Sequence, residues 1–420
     1  MNEPRIPVDL ILSKLAEDTE KFQDRVQKGS DVLLDDLETR IATTPYDVEY
    51  EEDRVKLKHY RPAVKASLKT PMLIVYALIN RETMLDLQPG RSVVQSFLDR
   101  GIDVYMVDWG YPTRKDKFVT IDDHVNGYMD NIIDYILKKH KIKKINLMGI
   151  CNGGSFCVMY SALHPEKIKN LITTVTPTNF DTDQGLLNIW MRHADIDPLL
   201  DAFGNMPGDI MNFGFLLLNP ARLMIDKYVG LLENIDDKVF VENFVRMEKW
   251  IFDSPDVPGA TFRQFMEDCY KKNLLIKNKM MLDGKRVDLK KITMPLLNIY
   301  GKYDHLVPPG ACELLTGKVG SKDVQDDCLN TGHIGIYVSS SVQDKFAPRI
   351  VQWLKERDSD KTGKAKKVVT KAAKTLKAKQ STVKAAKVST AKAEKSAVKI
   401  PKPAAKRTDS NKKTDAPAGK

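Results

Sequence analysis

The chain has 420 residues, of which 42% are hydrophobic, enough to bury the core of one large domain or two ordinary ones. Its five cysteines are odd in number and form no C-x-x-C pair, which argues against a disulfide framework or a zinc knuckle and favours a reducing compartment. The net charge of +10 is uneven, because residues 361–420 carry 19 Lys and Arg against three acids (+16), which leaves −6 for residues 1–360.

The amino-terminal segment, residues 1–45, is predicted to be helical and amphipathic. Apolar side chains recur among charges at Val8, Leu10, Ile11 and Leu15. The segment lacks a basic leader followed by an apolar block, so neither secretory nor transit processing is expected. The longest apolar runs reach about eight residues, against the ~20 needed to span a bilayer. We therefore expect a cytoplasmic protein without a transmembrane segment.

From Val55 onward, short apolar runs alternate with helical patterns. The clearest strand-like runs are Met72–Tyr76, Val104–Val107, Ile145–Met148, Leu171–Val175 and Leu296–Tyr300. Runs that are apolar throughout and separated by helices are typical of a parallel sheet covered on both faces. We therefore predict an α/β core formed by residues 46–177 and 295–357.

The regular alternation stops after Val175 and resumes at Pro295. The residues between, 178–294, are rich in Met, Leu and Phe and have a mostly helical pattern. An insertion of this size in one crossover predicts a helical cap over the carboxyl ends of the strands, where open α/β sheets bind their ligands.

Residues 358–420 form a low-complexity Lys/Ala/Thr/Ser tract with no aromatic residue. Its apolar surface is too small to offset the entropy of ordering, so we predict a tail that is disordered when free. Such a chain is suited to bind DNA by counterion release without base specificity. A solvated tail that keeps the protein soluble or adheres to an acidic partner is the alternative.

The segment Lys144–Phe156 carries the main chemical signal. An apolar strand runs into Gly149-Ile150-Cys151-Asn152-Gly153 and then into a helix. This has the form of a nucleophile elbow, G-x-S-x-G, with sulfur in place of the hydroxyl oxygen. The helix points its positive end at the sulfur, which favours the reactive thiolate. Taken alone the match is weak, and a buried structural cysteine is the alternative.

Two later segments complete a possible catalytic triad. The strand Leu296–Tyr300 is followed by Asp304, and a strand near residues 325–329 is followed by His333. Nucleophile, acid and histidine thus come in the chain order of α/β-hydrolases, each after a strand. We therefore predict an α/β-hydrolase fold with Cys151, Asp304 and His333 as the catalytic residues. The other histidines have no companions at metal-ligand spacing, so we expect neither a metal site nor a bound cofactor.

Several separated strings resemble one family, the catalytic subunits of polyhydroxyalkanoate synthases of the two-component class III type. The resemblance covers residues 5–357. It is carried by LIVYALINR (73–81), LDLQPGRS (85–92), VYMVDWGYP (104–112), GICNGG (149–154), MYSALHP (159–165), RMEKWIFDSPD (246–256), DHLVPP (304–309) and TGHIGIYVS (331–339). The chain departs from the family pattern at Glu82-Thr83, where members commonly carry Pro-Tyr or a similar pair, and in its Lys/Ala tail.

The resemblance implies that Cys151 is the acylated nucleophile, His333 its base, and Asp304 the triad acid, which also assists activation of the incoming 3-hydroxyl. It places the oxyanion hole at the backbone N–H groups of Ile79 and Asn152. The implied substrate is a short-chain (R)-3-hydroxyacyl-CoA, such as 3-hydroxybutyryl-CoA. The implied partners are a second, non-catalytic synthase subunit of the PhaE type, the surface of polyester granules, and further copies of the chain in a homo-oligomer.

Two other functions stay open on the residues alone. A cysteine-based thioesterase or polyester depolymerase of the same fold would release an acid instead of polymer. A non-catalytic granule or nucleoid adaptor would use the basic tail and keep the fold as a scaffold. The complete set of elbow, acid and histidine argues against the adaptor.

Overall fold

The computed structural model describes residues 37–358. The predicted amino-terminal helices therefore lie largely outside the described residues, and residues 359–420, with the predicted tail, lie wholly outside them. Within residues 37–358, no helix is both long enough and apolar enough to cross a membrane.

An eight-stranded sheet forms the centre of the described chain, in the order β1-β2-β4-β3-β5-β6-β9-β10. Every neighbouring pair from β4 to β10 is parallel, whereas β1 and β2 form an antiparallel hairpin at one edge. The strands are β1 (Asp47–Glu52), β2 (Val55–Tyr60), β3 (Met72–Val75), β4 (Val104–Asp108), β5 (Ile145–Ile150), β6 (Ile168–Thr174), β9 (Leu296–Gly301) and β10 (Val324–Leu329). A separate two-stranded hairpin pairs β7 (Met281–Leu282) with β8 (Lys285–Arg286).

Helices cover both faces of this sheet. Because successive side chains of a strand point to opposite faces, the hydrophobic core is divided into two layers, one on each face of the sheet. Leu73 and Val75 pack on one side with Ile133, while Ile74 packs on the other side with Phe97. The covering helices are α1 (Val93–Leu98), α2 (Met129–His140), α3 (Asn152–Leu163), α10 (Pro309–Cys312), α11 (Leu315–Lys318), α12 (Gly335–Val338) and α13 (Ser340–Lys355). The parallel strands with helices on both faces confirm the predicted α/β architecture. The prediction was possible because strands that are buried on both faces have continuous apolar sequences.

A mostly helical insertion separates β6 from β9; we call residues 178–294 the cap. Its helices are α4 (Leu186–His193), α5 (Asp197–Phe203), α6 (Gly208–Leu216), α7 (Lys227–Glu233), α8 (Lys238–Phe252) and α9 (Gly259–Gln264), with π-helical segments at Ala221–Asp226 and Phe265–Lys271.

The cap lies against the loops that follow β3 and β4. The indole N–H of Trp250 donates to the carbonyl oxygen of Arg81 at 2.8 Å, and the hydroxyl of Tyr111 donates to Asp253 at 2.5 Å. These loops leave the carboxyl ends of parallel strands, so the two contacts lie at the edge of the sheet where α/β proteins place their sites.

Candidate active site

Cys151 occupies a sharp turn between β5, which ends at Ile150, and α3, which begins at Asn152. Its backbone has φ 53° and ψ −128°, a conformation that L-residues rarely adopt. Gly153 makes the turn possible, because a Cβ there would overlap the carbonyl oxygen of Tyr76 on the neighbouring strand's extension. The sequence therefore holds the thiol out from the carboxyl edge of the sheet at the start of a helix.

Asp304 and His333 meet at the same edge. The Nδ1 atom of His333 lies 2.7 Å from Oδ2 of Asp304, while Oδ1 accepts backbone N–H groups of Leu306 at 2.9 Å and Val307 at 2.8 Å. The Asp304 side chain is completely buried. Since Nδ1 is engaged by the carboxylate, Nε2 is the nitrogen of His333 that remains for Cys151.

The surroundings of His333 make its imidazole a strong base. Burial lowers the pKa of His333, but the negative charge of Asp304, the hydrogen bond to Asp304 and the interaction with Cys151 outweigh it and raise the pKa to about 10. A base beside a thiol with a partner carboxylate behind it is the arrangement that activates a nucleophile. The structure thus brings all three predicted catalytic residues to one place.

The segment after β3 is tied to the elbow by the side chain of Asn152. Its Oδ1 accepts the backbone N–H of Leu78 at 3.0 Å. The next N–H along the chain belongs to Ile79, and among residues 37–358 neither this group nor the N–H of Asn152 donates a hydrogen bond. Two free donors that flank a nucleophile are what an oxyanion hole requires. The roles predicted for Ile79 and Asn152 are compatible with this geometry.

Apolar and aromatic side chains enclose the thiol. Cys151 packs against a buried group that includes Val307 and Cys312, and against the core layer that includes Tyr76 and Tyr337. Burial, followed by smaller contributions that include the charge of Cys151, raises the pKa of Tyr76 well above its ordinary value, so this phenol stays protonated at neutral pH. Such walls restrict the access of water to the sulfur.

A buried ion network lies directly behind the predicted oxyanion segment, and sequence reasoning missed most of it. Lys58 Nζ lies 2.5 Å from Glu82 and 2.9 Å from Asp108, and Arg81 contacts the same two carboxylates at 3.0 Å each. The sequence signals were a lysine within the β2 segment, Lys58, and an aspartate at the end of β4, Asp108. The two residues are diagonal neighbours in the sheet, because Lys58 pairs with Met106 and Lys56 pairs with Asp108. The network fixes the loop that follows Ile79.

Metal ligands are not grouped in the described part of the chain. Within residues 37–358, no cluster of three or more His, Cys, Asp and Glu side chains could hold a metal ion. The expectation of chemistry without a metal or bound cofactor stays a prediction.

Two protein families match the chain. The family described as the alpha/beta hydrolase fold matches residues 70–339. The family described as the poly-beta-hydroxybutyrate polymerase (PhaC) N-terminus matches residues 11–97. The first includes Cys151, Asp304 and His333, and the second includes Ile79. The fold assignment made from strand order therefore agrees with the family assignment.

Curated relatives share the name poly(3-hydroxyalkanoate) polymerase subunit PhaC. The protein of Allochromatium vinosum is 45% identical over 84% of this chain and 99% of its own length, and that of Thiocystis violacea is 44% identical with the same coverage. The Synechocystis protein is 43% identical over 81% of this chain and 91% of its own length. On these matches, the chain belongs to the poly(3-hydroxyalkanoate) polymerase PhaC family.

Proposed function

We propose that this chain is the catalytic subunit of a polyhydroxyalkanoate synthase, an acyltransferase that polymerises (R)-3-hydroxyacyl groups from coenzyme A thioesters through an acyl thioester on Cys151. Family membership supports the reaction. The single observation that carries the residue assignment is the buried His333–Asp304 pair, 2.7 Å apart, interacting with a cysteine in a strained elbow. Short-chain monomers such as 3-hydroxybutyryl-CoA are the proposed substrates.

Because the raised pKa of His333 favours a protonated imidazole at neutral pH, Nε2 already holds the thiol proton when the sulfur of Cys151 attacks the thioester carbonyl in the acylation step. The N–H groups of Ile79 and Asn152 stabilise the oxyanion, each donor typically contributing about 3 kcal/mol. The C–S bond to coenzyme A then breaks, and the leaving thiolate takes the proton from His333. One thioester replaces another, so the acyl group stays activated for transfer.

In the transfer step, the 3-hydroxyl of a second hydroxyacyl group attacks the Cys151 thioester. His333 takes the hydroxyl proton, an ester bond forms, and the proton returns to the sulfur as the C–S bond breaks. Water would compete with the hydroxyl and release an acid instead. The cap and the apolar walls around Cys151 support polymer formation because they restrict the access of water.

The function is tested with (R)-3-hydroxybutyryl-CoA by following coenzyme A release together with turbidity. Wild-type protein is expected to give both signals, whereas Cys151→Ala should give neither and keep a normal melting profile. Cys269→Ala, at a buried cysteine in the cap, is the control for the loss of a thiol as such. Coenzyme A release with soluble acid and no turbidity would establish the thioesterase or depolymerase alternative.

Partners other than substrate are proposals that follow from the family. We propose a second, non-catalytic subunit of the PhaE type, a homo-oligomeric state, and association with polyester granules in the cytoplasm. The cap supports contact with an apolar polymer, since it exposes large apolar side chains such as Phe213, Ile225, Val239 and Phe252. For residues 361–420 we propose binding of DNA without sequence preference, supported by their charge of +16.

A further inference from the structure

The edge of the sheet at which the six parallel strands begin is strongly basic. We call it the amino edge and define it as residues 61–71, 99–103, 138–144, 164–169, 288–295, 315–323 and 355–358. These segments hold 17 Lys and Arg against 7 Asp and Glu, a net charge of +10. By contrast, the cap residues outside this edge, 178–287, hold 13 Lys and Arg against 17 acids, a net charge of −4. Charge is therefore segregated between opposite ends of the described chain.

The amino-edge segments are separate in the sequence but adjacent in the folded chain. The backbone N–H of Asn146 donates to Pro71, and that of Leu171 donates to Pro295. Asp358, the last described residue, accepts Nζ of Lys169 at 2.7 Å and the backbone N–H of Lys69 at 3.1 Å. The loops before β3, β5, β6 and β9 and the end of α13 therefore form one continuous surface.

The positive charge on this surface is not neutralised locally. Asp358 pairs with Lys169, and Asp323 pairs with Arg357 at 2.7 Å, so these acids are already engaged. Ten exposed lysines of the amino edge have no acidic partner among residues 37–358; they are Lys65, Lys138, Lys141, Lys143, Lys144, Lys290, Lys291, Lys318, Lys322 and Lys355. A polyanion that approached this edge would meet unpaired ammonium groups.

The kind of polyanion follows from what the surface lacks. Of the large apolar side chains exposed in residues 37–358, only Val64 falls within the amino edge, and a single valine offers too little apolar surface to anchor this part of the described chain in a bilayer. Exposed aromatic rings, on which single-stranded bases stack, are also missing from its described side chains. Duplex DNA requires neither, because it presents a dense, regular array of phosphates on a rigid backbone.

We propose that the amino edge of the folded body binds the phosphate backbone of duplex DNA without sequence preference. This goes beyond the DNA binding proposed for residues 361–420, because it assigns part of the contact to folded lysines. It does not depend on the proposed polymerase reaction. Asp358 lies on this edge and the lysine-rich sequence follows it along the chain, so the two basic segments are consecutive.

The test measures binding of full-length protein to a duplex of about 60 base pairs as a function of salt. The edge variant changes Lys138, Lys141, Lys143 and Lys144 to Gln. A control variant changes four other exposed lysines to Gln, with the same change in net charge: Lys56, Lys115, Lys272 and Lys302. Each phosphate contact contributes about −0.9 to the slope of log K against log salt. The magnitude of this slope should therefore decrease by roughly 3 to 4 in the edge variant and by less than about 1 in the control variant.

A third variant, with the eight lysines of residues 361–379 changed to Gln, separates the folded edge from the tail. If the edge variant keeps the wild-type slope while this tail variant loses affinity, the folded lysines do not contact DNA and the proposal is wrong. Retention on phosphatidylglycerol vesicles without retention on DNA would also overturn it. Coenzyme A release should be unchanged in the edge variant, so a failure of the proposed polymerase function would be recognised separately.

Discussion

Both carboxylate oxygens of Asp304 are engaged by the protein, and this bears on how the triad divides its work. Oδ1 accepts two backbone N–H groups, Oδ2 holds Nδ1 of His333, and the side chain is completely buried. These contacts favour a carboxylate that orients the imidazole and stabilises its protonated form. The direct activation of a substrate hydroxyl by Asp304, implied by the family resemblance, stays a prediction.

Single-turnover labelling of Cys151 distinguishes the two roles. His333→Gln should abolish acylation, because the thiol loses its base. If Asp304 also activates the hydroxyl, Asp304→Asn should still acylate slowly and fail to elongate. If it acts only by orienting His333, both variants should lose labelling to the same extent. Asp326→Asn, on the partly exposed strand β10, controls for the loss of a carboxylate elsewhere on the sheet.

At the scale of elements, Lys58 is the residue that joins the edge hairpin to the loop after β3. Lys58→Met should lower the free energy of unfolding by about 3–5 kcal/mol, because it leaves the buried carboxylates of Glu82 and Asp108 short of a cation. The matched control is Lys56→Met on the same strand, where the pair with Glu51 is exposed and contributes about 0–1 kcal/mol. Chemical denaturation measures both, and equal losses would contradict a special role for the network.

Strands with a continuous apolar run could be predicted from the sequence. Strands that depend on pairing with a neighbouring strand could not. The strands β3, β4, β5 and β9 are buried along their length, and β6 is buried except at Lys169, so their apolar runs identify them. In contrast, β1 has the polar sequence DVEYEE and exists because it pairs with β2, which in turn pairs antiparallel with β4.

The same distinction applies to the site. Cys151, Asp304 and His333 each follow a strand, so chain order alone predicts that they meet. The contact of Lys58 with Glu82 joins two segments 24 residues apart and depends on where the sheet places β2. The hydrogen bond from Leu78 to Asn152 spans 74 residues and likewise needs the parallel alignment of β3 and β5.

At the scale of the whole molecule, the His333–Asp304 pair should make stability depend on pH. The pKa of His333 is raised from 6.5 to about 10 in the folded chain. The contribution of this group to the free energy of unfolding is therefore fully present below pH 6.5 and is lost as pH rises through 10. The melting temperature of the wild type should therefore fall between pH 6.5 and 10 by more than that of His333→Gln. Parallel curves for the two proteins over this range would show that the pair does not couple protonation to folding.

The separation of charge along the molecule has a colloidal consequence. If the cap, with its exposed Phe213 and Phe252, adsorbs to a polymer surface, the amino edge with its net charge of +10 turns toward the surrounding water. A particle coated in this way would carry a positive surface potential, and two such particles would repel each other over distances of about a Debye length, near 8 Å at physiological salt. The enzyme would then act as a surfactant for its own product and slow the coalescence of young granules.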